Sequence, residues 1–189
     1  MPFRLLFIII LLNVPYLLRA DNPPSKELHF DNLTILGKSN VNEFSLVFDN
    51  NSKSLLQENV ITKKTNQKTE FFIPVECFKS VNKCIQNDFY NMIQADKFPY
   101  ISFSIDNEQI ELLTSGNKCD SINAIITIAQ ESKQIWIPVK KNEQINDTFL
   151  TGKIDLLLTD FNLTPLSKFF GLVKVENNVV IDFRINLAT

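Results

Sequence analysis

Glycine is scarce in this chain, with four in 189 residues. That leaves no room for a glycine-rich phosphate cradle or a collagen-like repeat. Histidine is scarcer still. His29 is the single one, so a His-based metal cluster is excluded and a serine or cysteine nucleophile has one candidate base in the whole chain. Basic residues are not in excess: 19 Lys and Arg stand against 21 Asp and Glu, where a nucleic-acid surface needs a basic stripe. No apolar run reaches the roughly 20 residues of a membrane span; the run from Leu5 to Leu12 is followed by Asn13 and Pro15. The three cysteines, Cys77, Cys84 and Cys119, include no pair at the two-residue gap of a zinc or redox motif.

What is present is globular composition, 44% apolar and 21% charged. Residues 1–20 stand apart, with Arg4 and Arg19 but no acid, a short apolar centre, and Ala20 at a suitable cut before Asp21. That is the pattern of an export signal, and the expected location is periplasmic or secreted. Without it the formal charge moves from −2 to −4 and residues 21–189 remain, enough for one domain with a real core. In an oxidising compartment three thiols allow one bridge, Cys77 with Cys84 or Cys84 with Cys119. They fit equally as three partly buried small residues. Asn-x-Ser/Thr triplets begin at Asn32, Asn50, Asn146 and Asn162, but a chain this rich in asparagine produces them by chance.

Alternation of apolar and polar residues dominates the remainder. Phe44-Ser45-Leu46-Val47-Phe48 and Ile101-Ser102-Phe103-Ser104-Ile105 alternate. So does 179–187, with apolar residues on one face and Asp182, Arg184 and Asn186 on the other. Period two marks a strand with one buried and one wet face. Further strands are expected at 28–36, 60–64, 69–75, 110–113, 121–130, 133–139 and 148–158. Short strands joined by polar turns point to an antiparallel sandwich or barrel. Residues 82–96 break the pattern: Ile85, Phe89, Met92 and Ile93 recur at three- and four-residue spacings, which predicts a helix ending before Pro99. A second short turn is expected around 166–170.

No catalytic constellation emerges. Alternation turns His29 toward solvent, no Gly-x-Ser-x-Gly elbow occurs, and the carboxylate pairs Asp155/Asp160 and Glu108/Glu111 read as ordinary turn and strand-end residues. Asp160-Phe161 ahead of Asn162-Leu163-Thr164-Pro165 reads as a chain reversal, as does Gly37 with 39–42. Either segment would suit the rim of a cavity or plain turn chemistry. The phenylalanines, 16 in the chain and two of them within residues 1–20, fit a greasy lumen and a solid core alike.

Three stretches, taken in order, resemble the YceI-like family of exported lipid-binding proteins. They are Leu36-Gly37-Lys38-Ser39-Asn40-Val41-Asn42-Glu43-Phe44; then Phe72-Ile73-Pro74-Val75 with Asp96-Lys97-Phe98-Pro99-Tyr100-Ile101-Ser102-Phe103; and Gly152-Lys153-Ile154-Asp155-Leu156 through Asp160-Phe161 to Gly171-Leu172-Val173-Lys174-Val175. Together they cover about residues 27–187. The resemblance implies an all-β, lipocalin-like antiparallel β-barrel of about eight strands with a helical insertion. It also implies an elongated apolar lumen for a polyprenyl lipid or quinone tail. Asn162 and Gln130 stand where relatives commonly carry glycine, and Ile85-Gln86-Asn87-Asp88-Phe89-Tyr90 replaces a basic, histidine-containing helix, so head-group contacts do not carry over.

The sequence thus points to a non-enzymatic carrier needing no metal or cofactor. The partner that the resemblance implies is an isoprenoid or other long-chain lipid, with Phe44, Leu46, Phe71, Ile101, Phe103, Ile126, Leu156, Phe161, Ile181 and Phe183 the expected apolar wall. The rival from another class is a periplasmic interaction module with a filled core and no lipid, whose rim loops meet an envelope protein. Whether the barrel forms a homodimer stays open.

Overall fold

The computed structural model describes residues 28–49, 60–115, 119–143 and 148–187. The expected export signal, the triplets at Asn50 and Asn146 and the orientation of the His29 side chain lie outside what it describes. The strands are β1 (Leu28–Ser39), β2 (Glu43–Phe48), β3 (Ile61–Lys64), β4 (Lys68–Pro74), β5 (Phe78–Lys79), β6 (Tyr100–Asp106), β7 (Ser121–Ile128), β8 (Glu131–Glu143), β9 (Thr148–Leu157), β10 (Ser167–Lys168) and β11 (Val173–Leu187). The helices are α1 (Lys83–Ile93) and α2 (Asn107–Thr114). All the pairings are antiparallel, and the strands form one curled sheet in the order β3-β4-β6-β7-β8-β9-β11-β1-β2-β5, with β10 beside β11. Eight of them have six residues or more, the number expected, and β3, β5 and β10 are short additions.

Closure comes from a bend in the chain. Strand β4 pairs with β6 through Pro74, a single 3-10 turn (Val75–Cys77) follows, and β5 then pairs with the end of β2. The Asp49 amide donates to the Cys77 carbonyl at 2.8 Å and extends that contact. One continuous segment therefore serves both margins of the sheet. Pro74 can occupy this corner because it opens the turn and has no N–H to leave unpaired.

Alternation places the core as expected. Leu33 and Ile35 of β1, Phe71 and Ile73 of β4, Ile101, Phe103 and Ile105 of β6, Ile122, Ala124, Ile126 and Ile128 of β7, and Ile181, Phe183, Ile185 and Leu187 of β11 are all buried in one cluster. Not every phenylalanine faces inward. Phe72 and Phe149 sit on outward positions beneath cations, with Lys63 Nζ 4.8 Å from the first ring centroid and the Arg184 guanidinium 3.6 Å from the second. A cation over an aromatic face shelters apolar area that alternation alone would leave in water.

One expectation is corrected. Residues 110–113 belong to α2, not to a strand. Its apolar residues are too few to decide between the two periods, and tertiary contacts decide instead. Gln109 clamps the helix to β7, accepting from the Asn123 amide at 2.6 Å and donating to its carbonyl at 3.1 Å. Asn107 donates to the Thr65 carbonyl at 2.9 Å and accepts from the Thr69 hydroxyl at 2.8 Å. Leu113 is thereby buried over one end of the barrel. The turn expected near 166–170 follows β10 at 169–172, where the Gly171 amide donates to the Lys168 carbonyl at 3.2 Å and the Leu172 amide to the Phe169 carbonyl at 3.1 Å.

Helix α1 stands at the other end and is anchored twice. Phe48, Phe78 and Phe89 stack edge to face at 5.7 and 5.8 Å, joining β2, β5 and the helix. Beneath them the Tyr90 hydroxyl is shared between the Glu76 and Phe78 carbonyls at 3.0 and 2.9 Å and accepts from buried Gln86 at 3.2 Å. The helix starts at Asn82, whose side chain accepts from the Cys84 amide at 2.9 Å, and ends at Gln94 in the left-handed region, φ 57°. Loss of the Asn82 cap costs about 1 kcal/mol. Asn82→Ala is accordingly expected to lower unfolding stability by that amount in a urea titration, with the slope unchanged; a cost indistinguishable from zero would mean the cap contributes nothing.

Candidate functional site

The barrel interior is divided along its axis. At the α1 end lies a cavity of about 410 Å³; at the α2 end the space shrinks to about 30 Å³. The division runs across the barrel at one level. Ile35, Ile101, Leu156 and Ile181 line the large cavity, while the next inward residues toward the α2 end, Leu33, Phe103, Ile154 and Phe183, line the small one. Phe71 pairs with Phe103, and Phe183 pairs with Leu33 on one side and Gly152 on the other. Three phenylalanines and two aliphatics thus fill the cross-section just beyond the large cavity. The elongated lumen implied by the resemblance is here a wide chamber with a packed floor.

Of the ten expected wall residues, Phe44, Leu46, Ile101, Leu156 and Ile181 line the large cavity. Phe71, Phe103 and Phe183 line the small one. Ile126 and Phe161 are buried core and line neither. Phe44 owes its place to a glycine: a Cβ on its cross-strand partner Gly37 would fall 2.4 Å from the Phe44 ring, so the ring lies over the bare backbone.

The strand pattern does not reveal two contributors. Helix α1 supplies Ile85, Phe89, Met92 and Ile93 as one wall, from the apolar face that the spacing predicts. Residues 166–175 supply Leu166, Lys168, Phe169, Val173 and Val175. The first could have been inferred, because an amphipathic helix inserted into a barrel must bury its stripe somewhere. The second carries no periodic signal before Val173, where the alternation of β11 begins.

The polar groups cluster at the rim. Ser39, Asn42, Asn82, Asp88 and Lys168 border the opening, and Lys168 Nζ lies 2.5 Å from Asp88 Oδ2, so the lining cation is already neutralised. The 39–42 segment satisfies both expectations at once. The Ser39 amide donates to the Asn42 carbonyl at 2.8 Å as turn chemistry, and Val41 and Asn42 form rim. Residues 158–163 reverse the chain as expected, the Thr159 amide donating to the Asn177 side chain at 3.0 Å and Asn162 taking the left-handed region, φ 54°, while Leu158 and Leu163 line the cavity. Asparagine tolerates that conformation. Outside the cavity, the Lys38 ammonium is held above its usual pKa, first by its hydrogen bond to Glu43 at 2.7 Å and then by that carboxylate's charge.

None of the three thiols is bridged: Cys77 is buried, Cys84 is at the rim, and Cys119 donates to the Ser121 carbonyl at 3.0 Å. His29 pairs with Asn186 at the α2 end of β1. Ten residues separate it from Ser39, about 30 Å along a strand, so the only histidine backbone is remote from the rim. Among the described residues no group of three or more His, Cys, Asp or Glu is placed to hold a metal ion. Likewise, no described helix is long and apolar enough to cross a membrane.

No family model and no curated protein matches the chain. Solved structures do. BcnA of Burkholderia cenocepacia superposes with a TM-score of 0.58 at 16% identity, over 84% of this chain and 96% of its own. A polyisoprenoid-binding domain from Saccharophagus degradans gives 0.59 at 8% identity, over 87% of this chain and 99% of its own. A Campylobacter jejuni YCEI protein gives 0.48 at 13% identity, over 71% and 87%. At such identities the likeness is one of fold, and it extends over nearly the whole length of the first two proteins: the chain has the YceI-like fold that its sequence resembles.

Proposed function

We propose that this protein is an exported, non-enzymatic binding protein that holds the end of an isoprenoid-like lipid tail in the cavity between α1 and the barrel floor. The observation that carries the reading is the 410 Å³ chamber with apolar walls, closed below by Phe71, Phe103 and Phe183 and bordered by polar groups only at its rim. A solid interaction module has no use for such a space, since an empty chamber forfeits the packing its lining would otherwise gain. The polyisoprenoid-binding domain with the same fold supports the choice of ligand class.

Capacity sets the mode of binding. A methylene group takes about the volume of a water molecule, roughly 30 Å³, so the chamber admits about 14 carbons, close to three isoprene units. Each buried methylene contributes about 0.8 kcal/mol, or about fourfold in affinity. A longer tail leaves its remainder at the rim. Beside the neutralised Asp88–Lys168 pair, a hydroxyl or quinone head fits better than a bare phosphate, which would have to compete with a carboxylate for the same ammonium.

Organic extraction of the purified protein followed by mass spectrometry is expected to release a stoichiometric isoprenoid. In a prenol series, affinity should rise about a hundredfold or more from ten to fifteen carbons and change less than about threefold from fifteen to twenty. Absence of lipid together with no prenol binding would leave the filled-core interaction module as the better account. Sequencing the mature N-terminus from the native host tests export, with Asp21 the expected first residue.

A further inference from the structure

The rim of the cavity differs from the rest of the surface. Val41, Val81, Phe169, Phe170 and Leu172 are each at least 64% exposed, and Val81 and Phe170 stand wholly in water. Val41 and Phe169 also line the cavity, and Val81 precedes Asn82, which does too. Asn40 ties its turn to residues 166–175, donating to the Leu172 carbonyl at 2.8 Å and accepting from the Lys174 amide at 2.9 Å. These apolar side chains therefore gather around one opening, and a gathered patch calls for a partner where scattered single residues do not. The backbone holds them out against its own preference. Phe169 and Phe170 take φ of 52° and 56° in succession before Gly171 at 89°, a region bulky side chains seldom enter.

Charge accompanies the apolar ring. Residues 38–42, 79–84 and 166–175 hold five lysines (Lys38, Lys79, Lys83, Lys168 and Lys174) and no acid. Glu43 pairs with Lys38, Asp88 pairs with Lys168, and Glu176 also acts on Lys38. Set against these three acids the rim keeps a positive balance, in a chain whose acids outnumber its bases. Exposed rings and aliphatics among lysines suit the headgroup layer of a membrane. The rings enter the acyl boundary, the lysine stems follow the apolar surface, and the ammonium groups meet phosphate.

We propose that this rim docks the barrel mouth-down on an anionic phospholipid bilayer, so that the lipid tail passes between bilayer and cavity without crossing water. The inference rests on reading the cavity as a lipid site. A bilayer is the occupant that supplies both an apolar layer for the ring and anionic groups for the lysines.

Flotation with vesicles tests it. The wild type is expected to float with phosphatidylcholine–phosphatidylglycerol vesicles and less with phosphatidylcholine alone. Phe170→Asn should weaken partitioning by about tenfold or more, and Lys174→Gln by about fivefold. Asparagine tolerates the left-handed backbone at 170, so the first variant keeps its fold. Neither residue lines the cavity, and prenol binding in solution should be unchanged in both. Failure of the wild type to float, or equal flotation of Phe170→Asn, overturns the proposal. Self-association abolished by Phe170→Asn, with no flotation, would assign the rim to a second copy instead. A wild type that floats but binds no prenol in solution would sink the lipid reading of the cavity and leave the membrane contact standing.

Discussion

Met92→Trp is expected to abolish most of the binding of a fifteen-carbon prenol, weakening it by at least a hundredfold, without lowering the unfolding temperature. Met92 lines the cavity from α1 and is only half-buried, so a larger side chain has room to settle without displacing β-strand core. The indole carries about six more non-hydrogen atoms than the thioether chain. If each displaces about one methylene of ligand, the loss is about 5 kcal/mol at ~0.8 kcal/mol per group. About 2.8 kcal/mol, somewhat more than half that value, already gives the hundredfold. Stability should hold because the new ring fills space that would otherwise be void, where overpacking a filled core costs about 1–3 kcal/mol. The variant also reports on itself. The single native tryptophan, Trp136, lies exposed on β8, so a second, blue-shifted emission component would place the new indole in an apolar chamber. Unchanged affinity alongside that component would show that prenol binds somewhere else.

The second large effect separates two glycines. Gly152→Ala should lower stability by about 2 kcal/mol and the midpoint of thermal unfolding by about 4–8 °C. Gly37→Ala should cost little stability but weaken lipid binding. A Cβ at 152 would lie 2.5 Å from the Phe183 ring and 2.7 Å from the Pro138 carbonyl oxygen. The ring is buried in the chamber floor and the carbonyl belongs to the backbone, so neither yields cheaply. At 37 the Cβ would meet only the tip of the half-buried Phe44 ring, which has the chamber beside it and can swing inward. Replacing a strand glycine by alanine also removes freedom from the unfolded chain, a gain of about 0.4–1 kcal/mol that offsets part of the strain. Guanidinium titrations of both variants, each followed by prenol binding, check the pair. Equal stability losses would mean that the Phe44 ring is as fixed as the floor.

Most of the fold is legible in the sequence because alternation is a covalent property. Successive Cβ atoms on a strand point to opposite faces, so 44–48, 101–105 and 179–187 declare their inner residues before any partner is known. The same holds for α1, whose Ile85, Phe89, Met92 and Ile93 recur at helical spacing. Residues 110–113 carry too few apolar positions to declare a period, and the Gln109 clamp on Asn123, 14 residues away in sequence, makes them helical. Residues 166–172 have no period, and alternation begins only at Val173 with β11. Their place at the mouth depends on Asn40, more than 130 residues distant, binding Leu172 and Lys174.

The sequence by itself determines the long strands, their inner faces, the insertion of α1 and the shortage of groups able to do chemistry. Only the tertiary structure decides that the inward residues fall into two classes, with Ile101 and Ile181 around a chamber and Phe103 and Phe183, two positions further along, in a packed floor. Alternation assigns all four to the same interior and ranks none of them. A void is the difference between the volume a barrel encloses and the volume its side chains occupy. Cross-strand register sets that difference by stacking Phe71 on Phe103 and Phe183 beside Gly152, and register follows from pairings that no single stretch of sequence contains.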